Sequence, residues 1–310
     1  MRVFVTGASG WIGSAVVPEF IGAGHQVVGL ARSDDSAAAL TALGAEVQRG
    51  TLDDLDTLHA GAEASDGVVH LAFKHDIAFS GDFQGAVDAD RRAIDALGDA
   101  LAGSNRPFTI ASGLLGLAPG QVATERDGSS PGPAATSPAG GPETRLGNAQ
   151  LTLSLASRGI RSSVVRLPPT VHGEGDNGFL ATLVTIARAK GLSAYIGDGS
   201  NRWPAVPRLD AAPLFRLGLE NAPPGSTLHA VADEGVPIRE VAELIGHHLD
   251  VPVASLSPED AGPHFTWLAG FLALDSPASS AGTRELLGWQ PTHPGLLEDL
   301  DQGHYFHPSE

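Results

Sequence analysis

A chain of 310 residues that is 42% hydrophobic and only 18% charged carries enough apolar surface to close a full core, which excludes a disordered polymer and points to one large domain, or one with a smaller lobe. A formal net charge of −17 argues against an extended nucleic-acid surface, because such binding rests on Lys and Arg neutralising phosphates, yet it leaves room for a local anionic site. The absence of cysteine excludes disulfides and thiolate chemistry, and without an apolar stretch of signal or membrane-span length the expectation is a cytoplasmic protein with no membrane association.

Taken in chain order, residues 2–6 form an apolar strand that runs straight into a glycine turn. A helix from about Trp11, a strand at 26–30 and a helix after Ser33 follow. Further apolar runs at 67–73, 107–112 and 161–167 are separated by helical patterns over 86–102 and 143–157. Short apolar strands alternating with amphipathic helices predict a parallel sheet joined by crossover helices. Strands that are apolar throughout predict that both faces of that sheet are covered. Between 117 and 142 the chain becomes rich in Pro, Gly, Ser and Thr, which reads as one long surface loop. From Gly173 onward helical patterns dominate, with late strands at 205–208 and 226–230 expected to rejoin the sheet.

The segment Thr6-Gly7-Ala8-Ser9-Gly10-Trp11-Ile12-Gly13 sets three glycines at Gly-x-x-Gly-x-x-Gly spacing between the first strand and the first helix. Gly7 permits the tight turn, Gly10 lets a pyrophosphate approach the backbone, and Gly13 lets the helix pack close to the strand with its N-terminus facing the phosphates. A dinucleotide is therefore the expected cofactor. Where an NAD-binding protein usually offers Asp or Glu to the adenosine ribose, this chain reads Ala31-Arg32-Ser33. Arg32 suits a 2′-phosphate, so NADP(H) is preferred over NAD(H), the alternative being an arginine paired locally with Asp34 or Asp35. The fold expected is α/β: a doubly wound Rossmann parallel sheet in an NADP-binding domain at 1–170, completed by about 205–231. A smaller, mostly helical C-terminal substrate-binding lobe is expected from 171–205 and 232–310.

With His70-Leu71-Ala72, Ala111-Ser112-Gly113, Arg166-Leu167-Pro168-Pro169-Thr170-Val171-His172-Gly173 and Arg284-Glu285-Leu286-Leu287-Gly288-Trp289-Gln290-Pro291, the chain resembles the extended and atypical branches of the short-chain dehydrogenase/reductase superfamily over nearly its whole length. The resemblance implies that Ser112 orients the substrate carbonyl and that 168–171 borders the nicotinamide. The cofactor set it implies is Gly7, Ser9, Gly10, Trp11, Ile12, Gly13, Arg32, Ser33, Leu52, Leu71, Ala72, Lys74, Arg145, Pro168, Thr170 and Val171. It also implies a Tyr-x-x-x-Lys pair, which this chain lacks: its tyrosines, Tyr195 and Tyr305, are followed four positions on by Gly199 and Ser309, and its lysines are Lys74 and Lys190. The family spacing puts the missing pair near Gly141 and Arg145. Arg145 keeps a positive charge for the ribose contact but, with a pKa above about 12, is no general acid.

A reductase of this kind needs another proton donor. His172, where relatives often carry Tyr, and His75, beside Asp76, are the candidates; for each the alternative is a structural or solvated histidine, and water relayed by Ser112 is a third donor. Lys74 is a candidate for a cofactor phosphate. Substrate contacts are expected from Ser112, Gly113, His172, Trp203 and Trp267, a lining that fits a small apolar molecule better than a nucleotide sugar. Glu174 and Asp176 read as exposed, as do His304 and His307. No metal is expected, since His247 and His248 are adjacent and no His-Glu-x-x-His occurs. The function read from these residues is NADPH-dependent reduction of a carbonyl or C=N group on a small, largely apolar substrate. The alternative is a non-catalytic NADP(H)-binding sensor or regulatory protein, which binds without turnover, and the third reading is a sugar-nucleotide epimerase or dehydratase. Apart from the small-molecule substrate, the one partner expected, by resemblance, is a second copy packed through the helices at 86–102 and 143–157.

Overall fold

The computed structural model describes residues 1–128 and 142–307. Strands β1 (Arg2–Thr6), β2 (Gln26–Ala31), β3 (Glu46–Arg49), β4 (Gly67–His70), β5 (Pro107–Gly113), β6 (Arg161–Leu167) and β10 (Ser226–His229) form one seven-stranded parallel sheet in the order β10-β6-β5-β4-β1-β2-β3. Helices α1 (Gly13–Gly22), α2 (Asp34–Ala42) and α8 (Arg208–Asn221) cover one face, and α3 (Leu55–Glu63), α5 (Phe83–Leu101) and α6 (Pro142–Ser154) the other. Alternate residues of each strand serve the two cores: Val3 and Val5 pack with Val16, Phe20 and Phe215, while Phe4 packs with Leu58, Leu97 and Phe108. The chain direction of strand addition reverses between β1 and β4, so the crevice at their C-terminal ends is the place where such a sheet receives a ligand.

Local signals set the helix starts that frame this crevice. Ser33 accepts from the Ser36 amide and Ser36 answers toward the Ser33 backbone, a reciprocal cap that stops β2 and starts α2. Asp82 accepts from the Gly85 amide at 2.9 Å and starts α5. The short helix α4 (His75–Phe79) lies between β4 and α5.

The second lobe sets short strands among its helices. Strands β7 (Thr170–His172), β9 (Arg202–Pro207) and β11 (Asp233–Pro237) make a three-stranded sheet, and β8 (Ser193–Ile196) pairs in parallel with β12 (Val253–Leu256). Helices α7 (Phe179–Lys190) and α9 (Ile238–Leu249) close over them around Trp203, Val241, Ile245, Phe265 and Leu300. Of the two late strands, only β10 joins the main sheet. β9 pairs with β7 and β11 because its partners supply both of its edges inside the lobe. The edge strand β3 has no apolar run to announce it, since Glu-Val-Gln-Arg is half solvated.

The described part of the loop after β5 is pinned rather than free. Gly120 donates to Asp275 and Ala123 to Pro277, both at 2.8 Å, and Ala123 bridges Ala278. Gly141, the expected tyrosine position, lies outside the described residues. Among the described residues no helix is long and apolar enough to cross a membrane.

Candidate active site

The glycine turn leaves β1 with Gly7 at φ +66°, a conformation that favours glycine, and a Cβ there would lie 2.7 Å from the Ala72 amide nitrogen. A Cβ on Gly13 would meet the Gly7 carbonyl oxygen at 2.2 Å, so α1 can press against the turn only because that position is glycine. Leu71 and Ala72, which follow β4, are thereby brought against the turn, with Leu71 donating to the Thr6 carbonyl at 3.1 Å. Trp11 donates its indole N–H to the Val171 carbonyl at 2.9 Å, joining the turn to a residue 160 positions away. The Arg208 guanidinium, at the start of α8, sits 4.0 Å over the Trp11 ring and bonds Ser14 at 3.1 Å. Arg208 carries no sequence signal of its own.

At the adenosine end, Leu52 is buried and Arg32 is exposed, its guanidinium 3.8 Å from Asp76. The local pairing weighed as the alternative for Arg32 is made by another residue: Arg49, in register with Ala31 on β3, bonds Asp34 and the Ser33 carbonyl. Lys74, two residues after Ala72, has its ammonium held by both Asp53 oxygens at 2.6 and 2.7 Å.

The chemistry-bearing groups gather at the ends of β4 and β5. Ser112 is 4% exposed, beside Gly113, whose position opens onto free space. Arg145, on α6, bonds the Ala111 carbonyl at 3.4 Å and stacks 4.1 Å over the Phe73 ring. Burial lowers the Arg145 pKa, and the Asp90 carboxylate opposes that shift. Asp90 terminates a directed chain. The Ala72 N–H donates to Thr6 Oγ1 at 3.3 Å, the Thr6 hydroxyl donates to His70 Nδ1 at 2.7 Å, and His70 Nε2 donates to Asp90 at 3.0 Å. Asn148, one turn after Arg145, donates to the other Asp90 oxygen at 2.7 Å. Burial raises the Asp90 pKa, but the hydrogen bond from His70, the Arg145 charge and the hydrogen bond from Asn148 outweigh it and lower it. Sequence reasoning missed Asp90, although an acid on the apolar face of α5, between Ala86, Val87, Ala93 and Ile94, is a legible anomaly.

Three expected site residues belong elsewhere. His172 is 1% exposed, with Nδ1 donating to Asp299 at 2.9 Å, so it is packed between β7 and the helix Leu296–Asp301 and does not wall the crevice. Thr170 bonds inward to the Pro204 carbonyl at 2.7 Å. Trp203 is 1% exposed in the lobe core, its indole on the Leu274 carbonyl, and lies behind Phe179 at a ring distance of 5.7 Å. Trp267 is 42% exposed and packs on Phe179 and Phe271 at 5.6 and 6.1 Å, so the aromatic surface exists with Trp267 outermost. His75 is exposed at the rim of the crevice, where desolvation by its neighbours and then the nearby Arg145 charge push its pKa down. Asp176 and His304, expected to be solvated, are half-buried.

Comparison with known proteins places this arrangement. The NAD dependent epimerase/dehydratase family matches residues 3–229. An uncharacterized protein of Schizosaccharomyces pombe is 48% identical over 307 residues, 99% of this chain and 100% of its own. A 4-hydroxy-2-methyl-3-oxo-4-farnesyl-3,4-dihydroquinoline-1-oxide ketoreductase of Stigmatella aurantiaca is 32% identical over 61% of this chain and 56% of its own. Among solved structures, a dTDP-glucose 4,6-dehydratase from Streptomyces venezuelae with NAD and TYD bound superposes with a TM-score of 0.76 at 18% identity, over 98% of this chain and 96% of that one. The match spans the glycine turn, every strand of the main sheet and the strand carrying Ser112, and the chain belongs to the NAD-dependent epimerase/dehydratase family, the extended short-chain dehydrogenases/reductases.

Proposed function

We propose that the protein is an NADPH-dependent reductase of a carbonyl or C=N group on a small, largely apolar substrate. The observation that carries this reading is the Arg145 guanidinium, stacked on Phe73 one strand position from Ser112, with its charge balanced by the buried Asp90. The glycine turn is shaped for a dinucleotide: Cβ atoms at Gly7 and Gly13 would fill the space that brings turn, strand and helix together. Arg32, exposed at the end of β2 where an acidic residue would select NAD, supports the 2′-phosphate. The ketoreductase relative is consistent with the same chemistry.

A bound dinucleotide supplies the hydride from its nicotinamide. Ser112 donates its hydroxyl hydrogen bond to the substrate oxygen and holds the carbonyl carbon toward that hydride. Arg145 stabilises the alkoxide as it forms, a contribution of order 10²–10³ in kcat for a well-aimed donor. Neither Arg145 nor His75 delivers the proton. The first keeps its proton at working pH, and the second, with its pKa pushed down, is neutral there. Water reached through Ser112 is then the donor. The exposed aromatic surface of Trp267 offers the apolar substrate a place to pack. A homodimer through α5 and α6 belongs to the same reading.

Oxidation of NADPH followed at the reduced-nicotinamide absorbance, with a panel of aromatic and aliphatic ketones, aldehydes and imines, tests this. Wild type is expected to turn over at least one class, with Arg145→Met lowering kcat by about 10²-fold or more and Ser112→Ala acting in the same direction. Tight NADPH binding without turnover across the panel would replace the reductase with a sensor.

A further inference from the structure

The C-terminal end of the chain carries a tyrosine that the chemistry at Ser112 does not use. Gly303, at φ +89°, turns the chain into a short 3₁₀ segment, His304–Phe306, that is anchored on the lobe. Phe306 stacks on His248 of α9 with ring centroids 4.5 Å apart, and its carbonyl accepts from Arg188 of α7 at 3.0 Å. From that anchor Tyr305 reaches the segment after β7. Its hydroxyl oxygen accepts from the Gly173 N–H and its hydrogen goes to Asp176 Oδ2, both at 3.1 Å. The other Asp176 oxygen accepts from the Gly178 amide at 2.7 Å, so one phenol fastens both arms of the 173–178 turn. Burial, and then the neighbouring Asp176 charge, raise the Tyr305 pKa, which keeps the hydroxyl protonated and able to donate.

The fastened turn lies on the glycine loop. A Cβ on Gly175 would sit 3.7 Å from the Trp11 ring, and two residues before the turn Val171 takes the Trp11 N–H. Between them His172 is tied to Asp299, in the helix Leu296–Asp301 that precedes that segment. Residues 171–176 therefore form a bridge with the dinucleotide turn on one side and the chain terminus on the other. Gly173 and Gly175 hold φ values of +141° and +82°, so this bridge is an irregular backbone whose shape depends on what fastens it.

We infer that Tyr305 is a positioning residue for the dinucleotide: it sets the 171–176 bridge against Trp11 and so makes the C-terminal segment part of the cofactor site. The inference rests on the reading that the glycine turn binds NADP(H). Tyr305→Phe keeps the ring in the lobe and removes only the hydroxyl. Calorimetric titration of this variant with NADPH and, separately, with adenosine 2′,5′-bisphosphate separates positioning from general damage, because the second probe lacks the nicotinamide half. The expected result is a loss of about tenfold in NADPH affinity, from two hydrogen bonds of ordinary net strength, with the bisphosphate affinity unchanged. Asp176→Ala, at the other end of the bond, is expected to give the same split. Equal weakening of both probes, or unchanged NADPH affinity in both variants, would overturn the inference. Failure of the wild-type protein to bind NADPH would instead overturn the function on which it rests.

Discussion

Replacing Asp90 by Asn tests whether the buried carboxylate sustains the cationic site. The substitution preserves shape and removes one negative charge from a residue only 6% exposed. Its two oxygens now accept from His70 Nε2 at 3.0 Å and from Asn148 at 2.7 Å. An amide accepts at one position only, so one of these donors faces another donor, which costs about 1–3 kcal/mol. Arg145 also loses its buried counter-charge. With that through-space support gone as well, the combined loss is placed at about 3 kcal/mol, the upper end of that range. At about 2 °C per kcal/mol for a chain of this size, the melting temperature falls by about 6 °C. Scanning calorimetry of wild type, Asp90→Asn, Arg145→Met and the double variant measures both the loss and the coupling. A double variant no less stable than Asp90→Asn alone is expected, with a coupling of at least about 1 kcal/mol. Additive effects, or an unchanged melting temperature in Asp90→Asn, would refute the charge balance.

Gly13→Ala puts a methyl group 2.2 Å from the Gly7 carbonyl oxygen, a backbone atom that has nowhere to go, so α1 must shift from the turn. NADPH affinity is expected to fall by about 10²-fold or more, read by titration, since a misplacement on the scale of an ångström costs on that order. His229 is fully buried, with Nδ1 on the Ser279 carbonyl at 2.8 Å and Nε2 facing Arg166 at 3.4 Å; burial foremost pushes its pKa down to about 4. Between pH 6.5 and 4 the unfolded chain binds a proton there that the folded chain refuses. Stability present above pH 6.5 is thus lost as pH falls through that window, by at most about 3 kcal/mol. Urea unfolding across pH 4.5–7.5 measures the slope, and His229→Asn should flatten it.

Much of this fold is written in local pattern. The glycine spacing, the apolar strands and the Ser33 cap each act over a few residues, so β1, β2, β4 and the dinucleotide turn are legible from the chain alone. Arg145 was legible only as the occupant of a position where relatives carry lysine; its stacking on Phe73 needed the fold. The misplacements have one physical origin. His172, Thr170 and Trp203 sit on β7 and β9, and nothing in their own sequence says that these strands pair with each other rather than with the main sheet. Once they do, alternation turns those side chains into the lobe. The contacts of Lys74 with Asp53 and of Arg208 with Trp11 were hidden for a similar reason, since each joins segments distant in sequence.

The most direct measurement is a pair of calorimetric titrations of the wild-type protein, one with NADPH and one with NADH. Stoichiometric binding of NADPH, about tenfold or more tighter than NADH and reduced to parity in Arg32→Ala, is the predicted result. Failure to bind either dinucleotide would contradict the cofactor site, and a preference for NADH would contradict the role given to Arg32.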